Sequence, residues 1–291
     1  MAQKISQEAS LACQVGNTRE VLVEGIILKR EDENPTGSIK DRGISYQIDQ
    51  AEERGLSDLV LSSSGNAAIS AAYFCRRAGI NLSIFVSPKI SKVKLKRIRG
   101  LGITVFQTPR PISGAIRFAK ENGFLNLRPS AAADGPVGYQ SIAAEIFDRW
   151  GKIDSIFLPV SSGTTLVGVA EGFKKLGFLP QIHAVQTAAI CPIAGKFDQD
   201  FVPVKSSLTS ALVAKFLPRK KQVLELIRKS GGWGWAISDE EITQADVWLK
   251  ERGISTSFEG TAALAGVFKA RRKHWSLGEK IVCLLTGKKY D

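Results

Sequence analysis

Short apolar strands that alternate with amphipathic helices constrain the fold of this chain more than any other feature. Residues 21–28 and 58–61 are predicted strands, and residues 67–78 form a predicted helix that ends at Gly79, a typical C-cap residue. The alternation continues to a last predicted strand at residues 280–285. Repeated β-α-β units with apolar strands predict mostly parallel sheets that are covered by helices on both faces.

Chain length and one irregular segment predict two lobes. The chain has 291 residues, which is enough for two domains of ~100–200 residues each. Residues 128–137 are irregular and contain Ala, Pro and Gly, so they are a candidate boundary. We expect an α/β fold of two lobes, each a mostly parallel twisted sheet flanked by helices. The large lobe would comprise residues 1–40 and 140–291, and a smaller, mobile lobe would comprise residues 41–139.

Composition and charge argue against several classes of protein. Hydrophobic residues make up 44% of the chain and charged residues 23%, and no apolar run approaches the ~18–20 residues of a membrane span. The four cysteines are scattered without a CxxC pair, which argues against a metal site or disulfides and favours a cytoplasmic location. The net charge is +12. Because the basic residues alternate with apolar ones, as on solvated helix faces, we do not expect a nucleic-acid partner.

One lysine, Lys40, lies behind a tight turn at the expected start of a helix. The surrounding residues 34–43 read NPTGSIKDRG. The positive field at a helix N-terminus is expected to lower the pKa of this amine, which suits a lysine that acts as a nucleophile or forms a Schiff base. For a lysine taken alone, a solvated surface position is the plain alternative.

Three polar turns follow predicted strands, where open α/β sheets bind ligands. Residues 62–66 (SSSGN) and 161–165 (SSGTT) each open a helix, and free amides and hydroxyls there suit a carboxylate or a phosphate. Ordinary helix caps are the alternative. We favour a phosphate at residues 161–165, because Gly163 permits close approach of the backbone. Thr286 ends the last strand with a hydroxyl suited to a ring nitrogen. A lysine amine beside a phosphate site is what pyridoxal phosphate requires.

Five segments occur together in one order along residues 16–287 and carry a family resemblance. They are residues 16–18 (GNT), 34–43 (NPTGSIKDRG), 63–66 (SSGN), 259–266 (EGTAALAG) and 285–287 (LTG). Together they resemble the fold-type II pyridoxal-phosphate enzymes, the tryptophan synthase β family, and within that family they are most similar to the threonine synthases.

The resemblance implies pyridoxal 5'-phosphate as the cofactor and assigns roles to residues of this chain. Lys40 would be the catalytic residue, which forms the Schiff base with the cofactor and moves protons. Asn66 would contact the ring hydroxyl and Thr286 the ring nitrogen. The other implied cofactor contacts are Ser161, Ser162, Gly163, Thr164, Thr165 and Glu259. The implied substrate contacts are Ser63, Ser64, Gly65, Asn66 and Gln140. No metal is expected.

The resemblance also implies a lyase of amino-acid biosynthesis that converts O-phosphohomoserine and water to threonine and phosphate. Its substrate would be a small anionic amino acid, and the protein would be a cytoplasmic homodimer without a membrane partner. Two alternatives stay open, namely β-elimination or β-replacement on serine, threonine or an activated serine, and a non-catalytic binding module. Ala67 stands where threonine synthases have threonine, residues 161–165 are more like the loop of cysteine synthases, and Arg128 is the candidate for the arginine that binds the substrate phosphate.

Overall fold

The computed structural model describes residues 10–90, 92–215 and 217–289. The strands are β1 Glu20–Val23, β2 Ile26–Lys29, β3 Asp58–Ser62, β4 Asn81–Val86, β5 Thr104–Gln107, β6 Leu125–Leu127, β7 Ser155–Pro159, β8 Gln181–Thr187, β9 Gly234–Ile237 and β10 Ile281–Leu284. The α-helices are α1 Lys40–Glu53, α2 Asn66–Ala78, α3 Lys92–Arg99, α4 Pro111–Asn122, α5 Ser141–Trp150, α6 Thr164–Lys175, α7 Lys220–Lys229, α8 Asp239–Glu251 and α9 Phe258–Arg272.

The chain divides into two compact units, each with its own sheet. Of the described residues, the small unit contains residues 10–16 and Lys40–Arg128, and the large unit contains Asn17–Ile39 and residues 129–289. Mostly parallel sheets flanked by helices confirm the predicted α/β fold class. The predicted boundaries of two lobes at residues 40 and 139, and the mobility of the smaller lobe, stay predictions.

The sheet of the small unit has four strands in the order β5-β4-β3-β6, and all of its neighbouring strands are parallel. The turns that follow these strands therefore lie along one edge, the carboxyl edge, where ligands bind in open α/β sheets. The turn after β3 is the SSGN segment. It is flanked on one side by the turn after β4 and on the other by the turn after β6.

The sheet of the large unit has six strands in the order β1-β2-β10-β7-β8-β9. All neighbouring pairs are parallel except β1 and β2, which are antiparallel. The prediction of a single strand over residues 21–28 is therefore wrong. Glu24 and Gly25 take φ angles of 48° and 74°, and this left-handed pair folds the segment into a hairpin.

The large unit buries both faces of its sheet, which explains the continuous apolar strands in the sequence. Successive residues of β7 alternate between two apolar cores: Ile156 and Leu158 lie in the core that includes residues of α5, α6 and α7, whereas Phe157 lies in the core that includes residues of α8 and α9. Each such side chain contributes about 1.5–3 kcal/mol when it is fully buried. The candidate site lies beyond the carboxyl ends of these buried strands.

Among the described helices, none is long and apolar enough to cross a membrane.

Candidate active site

The turn that leads to Lys40 is fixed by backbone hydrogen bonds within the large unit. The amide of Gly37 donates to Asn34 O at 2.7 Å, and Gly37 has a φ of +84°. This left-handed φ favours glycine, and a Cβ there would lie 2.5 Å from Cδ and Cε of Lys288, so the flexible lysine side chain would have to move. Ser38 forms an antiparallel bridge with Gly287, and the amide of Ile39 donates to Thr286 O at 3.0 Å. The residues just before Lys40 are thereby positioned along the end of the last strand.

Lys40 is the first residue of α1 and is half-buried. Burial lowers the pKa of its amine below the ordinary value of 10.5, because the charged form loses hydration. The direction agrees with the expectation from the sequence, which attributed it to the field of the helix N-terminus. A lowered pKa increases the fraction of neutral amine, which is the form that attacks an aldehyde and accepts a proton.

Three neighbouring strands of the large unit bring three predicted elements of the site to one edge. Strands β2 and β7 both pair in parallel with β10, which lies between them. The segment that leads to Lys40 follows β2, Thr286 follows β10, and residues 161–165 follow β7. Because neighbouring strands lie about 4.8 Å apart, the first and last of these turns start about 10 Å from each other. Thr286 therefore lies between the lysine segment and the polar loop.

Thr286 itself is held tightly but keeps its hydroxyl available. A Cβ on Gly260 of α9 would lie 3.0 Å from the amide nitrogen of Thr286 and 2.6 Å from the hydroxyl of Thr256. Helix α9 therefore packs directly against the end of the last strand. Within the described residues, the Thr286 hydroxyl has no hydrogen-bond partner, so it is available to a ligand.

The loop of residues 161–165 has the donors that a phosphate requires. Gly163 is the N-cap of α6 with a φ of +87°, and the amides of Gly163, Thr164, Thr165 and Leu166 have no acceptor in the described part of the chain. The Ser162 and Thr164 hydroxyls lie 3.2 Å apart and are hydrogen-bonded. Unpaired amides at the positive end of a helix, together with hydroxyl donors, form a site for an anion.

The asparagine loop lies at the carboxyl edge of the small unit, between β3 and α2. Gly65 is the N-cap of α2, and a Cβ added to it would meet nothing within 4 Å, so the space above the loop is open. The amides of Ser64, Asn66 and Ala67 have no acceptor among the residues that the structure describes. The loop can therefore accept a carboxylate, as the resemblance implies for Ser63, Ser64, Gly65 and Asn66.

Two other residues that the resemblance singled out are engaged by the protein. The carboxylate of Glu259, in the first turn of α9, accepts the amides of Ser210 and Ala211 at 2.8 Å each. The side-chain oxygen of Gln140 accepts from Lys175 at 2.7 Å. Because Lys175 ends α6, Gln140 lies at the end of that helix opposite the 161–165 loop, and the structure does not bring it to the loop. Their roles toward cofactor and substrate stay predictions.

Sequence reasoning missed one residue at the loop, Arg219. It precedes α7, and its guanidinium donates to Thr164 Oγ1 at 3.4 Å and to Ser130 O at 2.8 Å. The residue is 55 positions from Thr164 in an irregular stretch, and no local pattern indicates the contact.

Comparison with known proteins decides the family. A sequence model described as "Pyridoxal-phosphate dependent enzyme" matches residues 14–287.

The chain belongs to this family.

The threonine synthase of Methanocaldococcus jannaschii is 27% identical over 288 residues, which cover 92% of this chain and 71% of that protein. The L-serine dehydratase/L-threonine deaminase of Bos taurus is 33% identical over 257 residues, which cover 83% and 76%. Among solved structures, maize serine racemase superposes with a TM-score of 0.84 at 20% identity and covers 97% of this chain and 91% of its own, a likeness of fold.

This pyridoxal-phosphate-dependent enzyme has donor groups that fit its cofactor. The amides and hydroxyls of the 161–165 loop match the acceptor oxygens of a phosphate. The half-buried amine of Lys40, with its lowered pKa, matches an aldehyde. The free hydroxyl of Thr286 matches a neutral ring nitrogen. No described cluster of histidine, cysteine or carboxylate side chains is suited to hold a metal ion.

Proposed function

We propose that the protein is a lyase of the threonine synthase type, which converts O-phosphohomoserine and water to threonine and phosphate. In this reaction the C–O bond at the γ-carbon breaks and releases phosphate, and the oxygen of water bonds to the β-carbon. One hydrogen is lost from the β-carbon and one is gained at the γ-carbon, so the reaction needs no external oxidant or reductant. What it needs from the protein is a mobile proton carrier and binding sites for two anionic groups.

Lys40 is the proton carrier in this proposal. When bound, the cofactor withdraws electrons from the substrate's α-carbon, which makes its proton acidic. The neutral amine of Lys40 accepts that proton, and the lowered pKa of this lysine keeps the neutral form populated. The same amine then returns protons to the carbon skeleton. Thr286 is a neutral hydroxyl partner for the ring nitrogen and, unlike an aspartate, does not stabilise added positive charge there.

The positive charge at the carboxyl edge of the small unit's sheet is the observation on which we base the choice of O-phosphohomoserine as substrate. Between Asp58 and Glu121 the chain contains neither Asp nor Glu. The turns after β4, β5 and β6 contribute exposed cations, namely Lys89, Arg110 and Arg128. Because all four strands are parallel, these cations lie along the same edge as the asparagine loop.

A substrate with two anionic groups explains this arrangement better than one with a single carboxylate. The free amides of the asparagine loop can donate hydrogen bonds to the substrate carboxylate. The flanking cations then have a second anion to bind, and an unbalanced positive edge raises the local concentration of an anionic ligand. The similarity to threonine synthases over 92% of the chain supports the same choice.

A second candidate function is elimination of water and ammonia from serine or threonine. It is favoured by the bovine serine dehydratase/threonine deaminase, which is 33% identical, a higher value than the 27% of the threonine synthase. Ala67 favours it too, because threonine synthases have threonine at this position and the free amide of Ala67 borders the loop.

A substrate panel on the reconstituted enzyme separates the two candidates. We expect phosphate release from O-phosphohomoserine with a higher kcat/KM than formation of pyruvate from serine or 2-oxobutyrate from threonine. Formation of the two keto acids without phosphate release would refute the threonine synthase assignment and establish the second candidate.

Substitution of Arg128 tests the contribution of the cations. An ionic hydrogen bond contributes about 1.5–3 kcal/mol, so Arg128→Gln should raise the KM for phosphohomoserine at least tenfold while the KM for serine changes less than twofold. Arg117→Gln is the matched control, because it removes the same charge from an exposed position on α4. Equal effects of the two substitutions would show that only the overall charge matters.

A further inference from the structure

Arg219 tethers the 161–165 loop to a neighbouring segment of the large unit. Its Nη1 donates to Ser130 O at 2.8 Å and to Thr164 Oγ1 at 3.4 Å, and its Nη2 donates to Ala132 O. The guanidinium is half-buried, and within the described residues it forms no ion pair. All of its hydrogen-bond partners are neutral, and the carboxylate of Asp134 acts on it electrostatically without forming an ion pair. The positive charge at the loop is therefore only partly balanced.

The contacts of Arg219 favour one direction of donation between the loop hydroxyls. A guanidinium only donates, so Thr164 Oγ1 is an acceptor toward Arg219 and its own hydrogen must go elsewhere. Two acceptors are within its reach, Ser162 Oγ at 3.2 Å and Ser130 O at 3.5 Å. Ser162 is the nearer of the two, and Ser130 O also accepts from Arg219 at 2.8 Å, so donation to Ser162 is favoured. When Thr164 donates to Ser162, the hydrogen of Ser162 is left for a third group.

An acceptor-only ligand requires this direction. A phosphate dianion offers no hydrogen, so every hydroxyl that binds it must donate. Had Ser162 donated to Thr164 instead, its oxygen would present lone pairs to the phosphate and repel it. The order Arg219 to Thr164 to Ser162 therefore points the last donor away from the protein's own acceptors.

We propose that Arg219 is a positioning residue for the cofactor phosphate, which aligns the Thr164 and Ser162 hydroxyls as donors and supplies the positive charge of the phosphate loop. This proposal rests on the proposed role of residues 161–165 as the phosphate site. It predicts that Arg219 affects the binding of the phosphate group but not the binding of the pyridine ring or the link to Lys40.

The test compares pyridoxal phosphate with pyridoxal, which lacks only the phosphate. Apoprotein is titrated with each compound, and dissociation constants are read from the absorbance of the lysine-bound form. We expect Arg219→Gln to weaken the binding of pyridoxal phosphate about 10–100-fold, the range of a charge-assisted hydrogen bond. The dissociation constant of pyridoxal should change less than twofold. Arg219→Lys, which keeps the charge but not the geometry, should lie in between. Lys221→Gln, which removes an exposed charge from the first turn of α7, is the matched control.

Two further measurements keep the outcomes distinct. Ser162→Ala should weaken the binding of pyridoxal phosphate to the wild-type protein. It should have little further effect in Arg219→Gln, because the aligned donor is already lost there. If Arg219→Gln does not fold, the effect of Ser162→Ala on the wild type still tests whether Ser162 donates to the phosphate. The ³¹P resonance of the bound phosphate should begin to titrate near neutral pH in Arg219→Gln. Equal weakening of both compounds would overturn the proposal in favour of a purely structural tether. If wild-type apoprotein binds neither compound, it is the proposed function that fails.

Discussion

Gly163 of the phosphate loop has both a left-handed φ and a close neighbour, so the loss of stability on replacing it can be calculated. A Cβ at this position would lie 2.7 Å from Cγ2 of Val223, and φ is +87°. The left-handed backbone costs a non-glycine residue about 1–2 kcal/mol, and the overlap with Val223 costs about 1–3 kcal/mol. Gly163→Ala should therefore destabilise the apoprotein by about 2–5 kcal/mol.

The two parts of that cost can be separated by removing the group that the new methyl meets. Val223 is fully buried, so Val223→Ala alone should cost about 2 kcal/mol through lost burial and a cavity. In the double variant the overlap disappears while the backbone cost remains. The double variant should therefore lose about 1–3 kcal/mol less stability than the sum of the two single changes.

Urea unfolding of the four apoproteins measures this coupling, and cofactor titration measures its effect on function. Gly163→Ala should weaken pyridoxal phosphate at least tenfold, because the amides of the loop shift. Gly177→Ala is the control: its φ is +81°, but a Cβ there meets nothing within 4 Å, so it should cost about 1 kcal/mol and leave binding unchanged. Additivity of Gly163→Ala and Val223→Ala within about 0.5 kcal/mol would refute the packing argument.

Three further changes are predicted. Burial lowers the pKa of His183 to about 3 from 6.5, so between these pH values the native state binds fewer protons than the unfolded chain. The free energy of unfolding should therefore fall by up to about 1.4 kcal/mol per pH unit on acidification through that window. The pH profile of His183→Gln should lack this component. The rate at which apoprotein captures pyridoxal phosphate should rise with pH to a midpoint below 10.5, because burial lowers the pKa of Lys40; a midpoint at 10.5 or above would contradict this. Thr286→Val should weaken the cofactor about 2–10-fold with unchanged urea unfolding, and Thr286→Ser should restore binding.

The alternation of strands and helices was sufficient to predict the fold class, because both periodicities are local properties of the sequence. Elements without a clear period were missed. Strand β6 has three residues, Leu125–Leu127, too few to show alternation. Strand β9, Gly234–Ile237, is recognised by its pairing with β8, which its own four residues do not indicate. The hairpin at Glu24 and Gly25 was missed because the flanking residues read as one apolar run.

The site divides in the same way between local and long-range information. The lysine segment, the two polar loops and Thr286 are each short stretches at strand ends, so a role for each could be predicted from its residue types, and those roles stay predictions. Arg219 reaches Thr164 across 55 positions, and Gln140 is engaged by Lys175 rather than turned to the loop. Such contacts depend on how helices pack, which spacing in one sequence does not reveal.

The central claim is that Lys40 holds the cofactor covalently, and peptide mapping after borohydride reduction tests it most directly. Reconstituted protein should absorb near ~410–420 nm, a property of the lysine-bound cofactor, and reduction should fix the cofactor on the peptide that contains Lys40. Lys40→Ala should show neither the band nor the modified peptide, whereas Lys288→Ala should show both. Stable, stoichiometric modification of a different lysine, or a reducible band that persists in Lys40→Ala, would contradict the account.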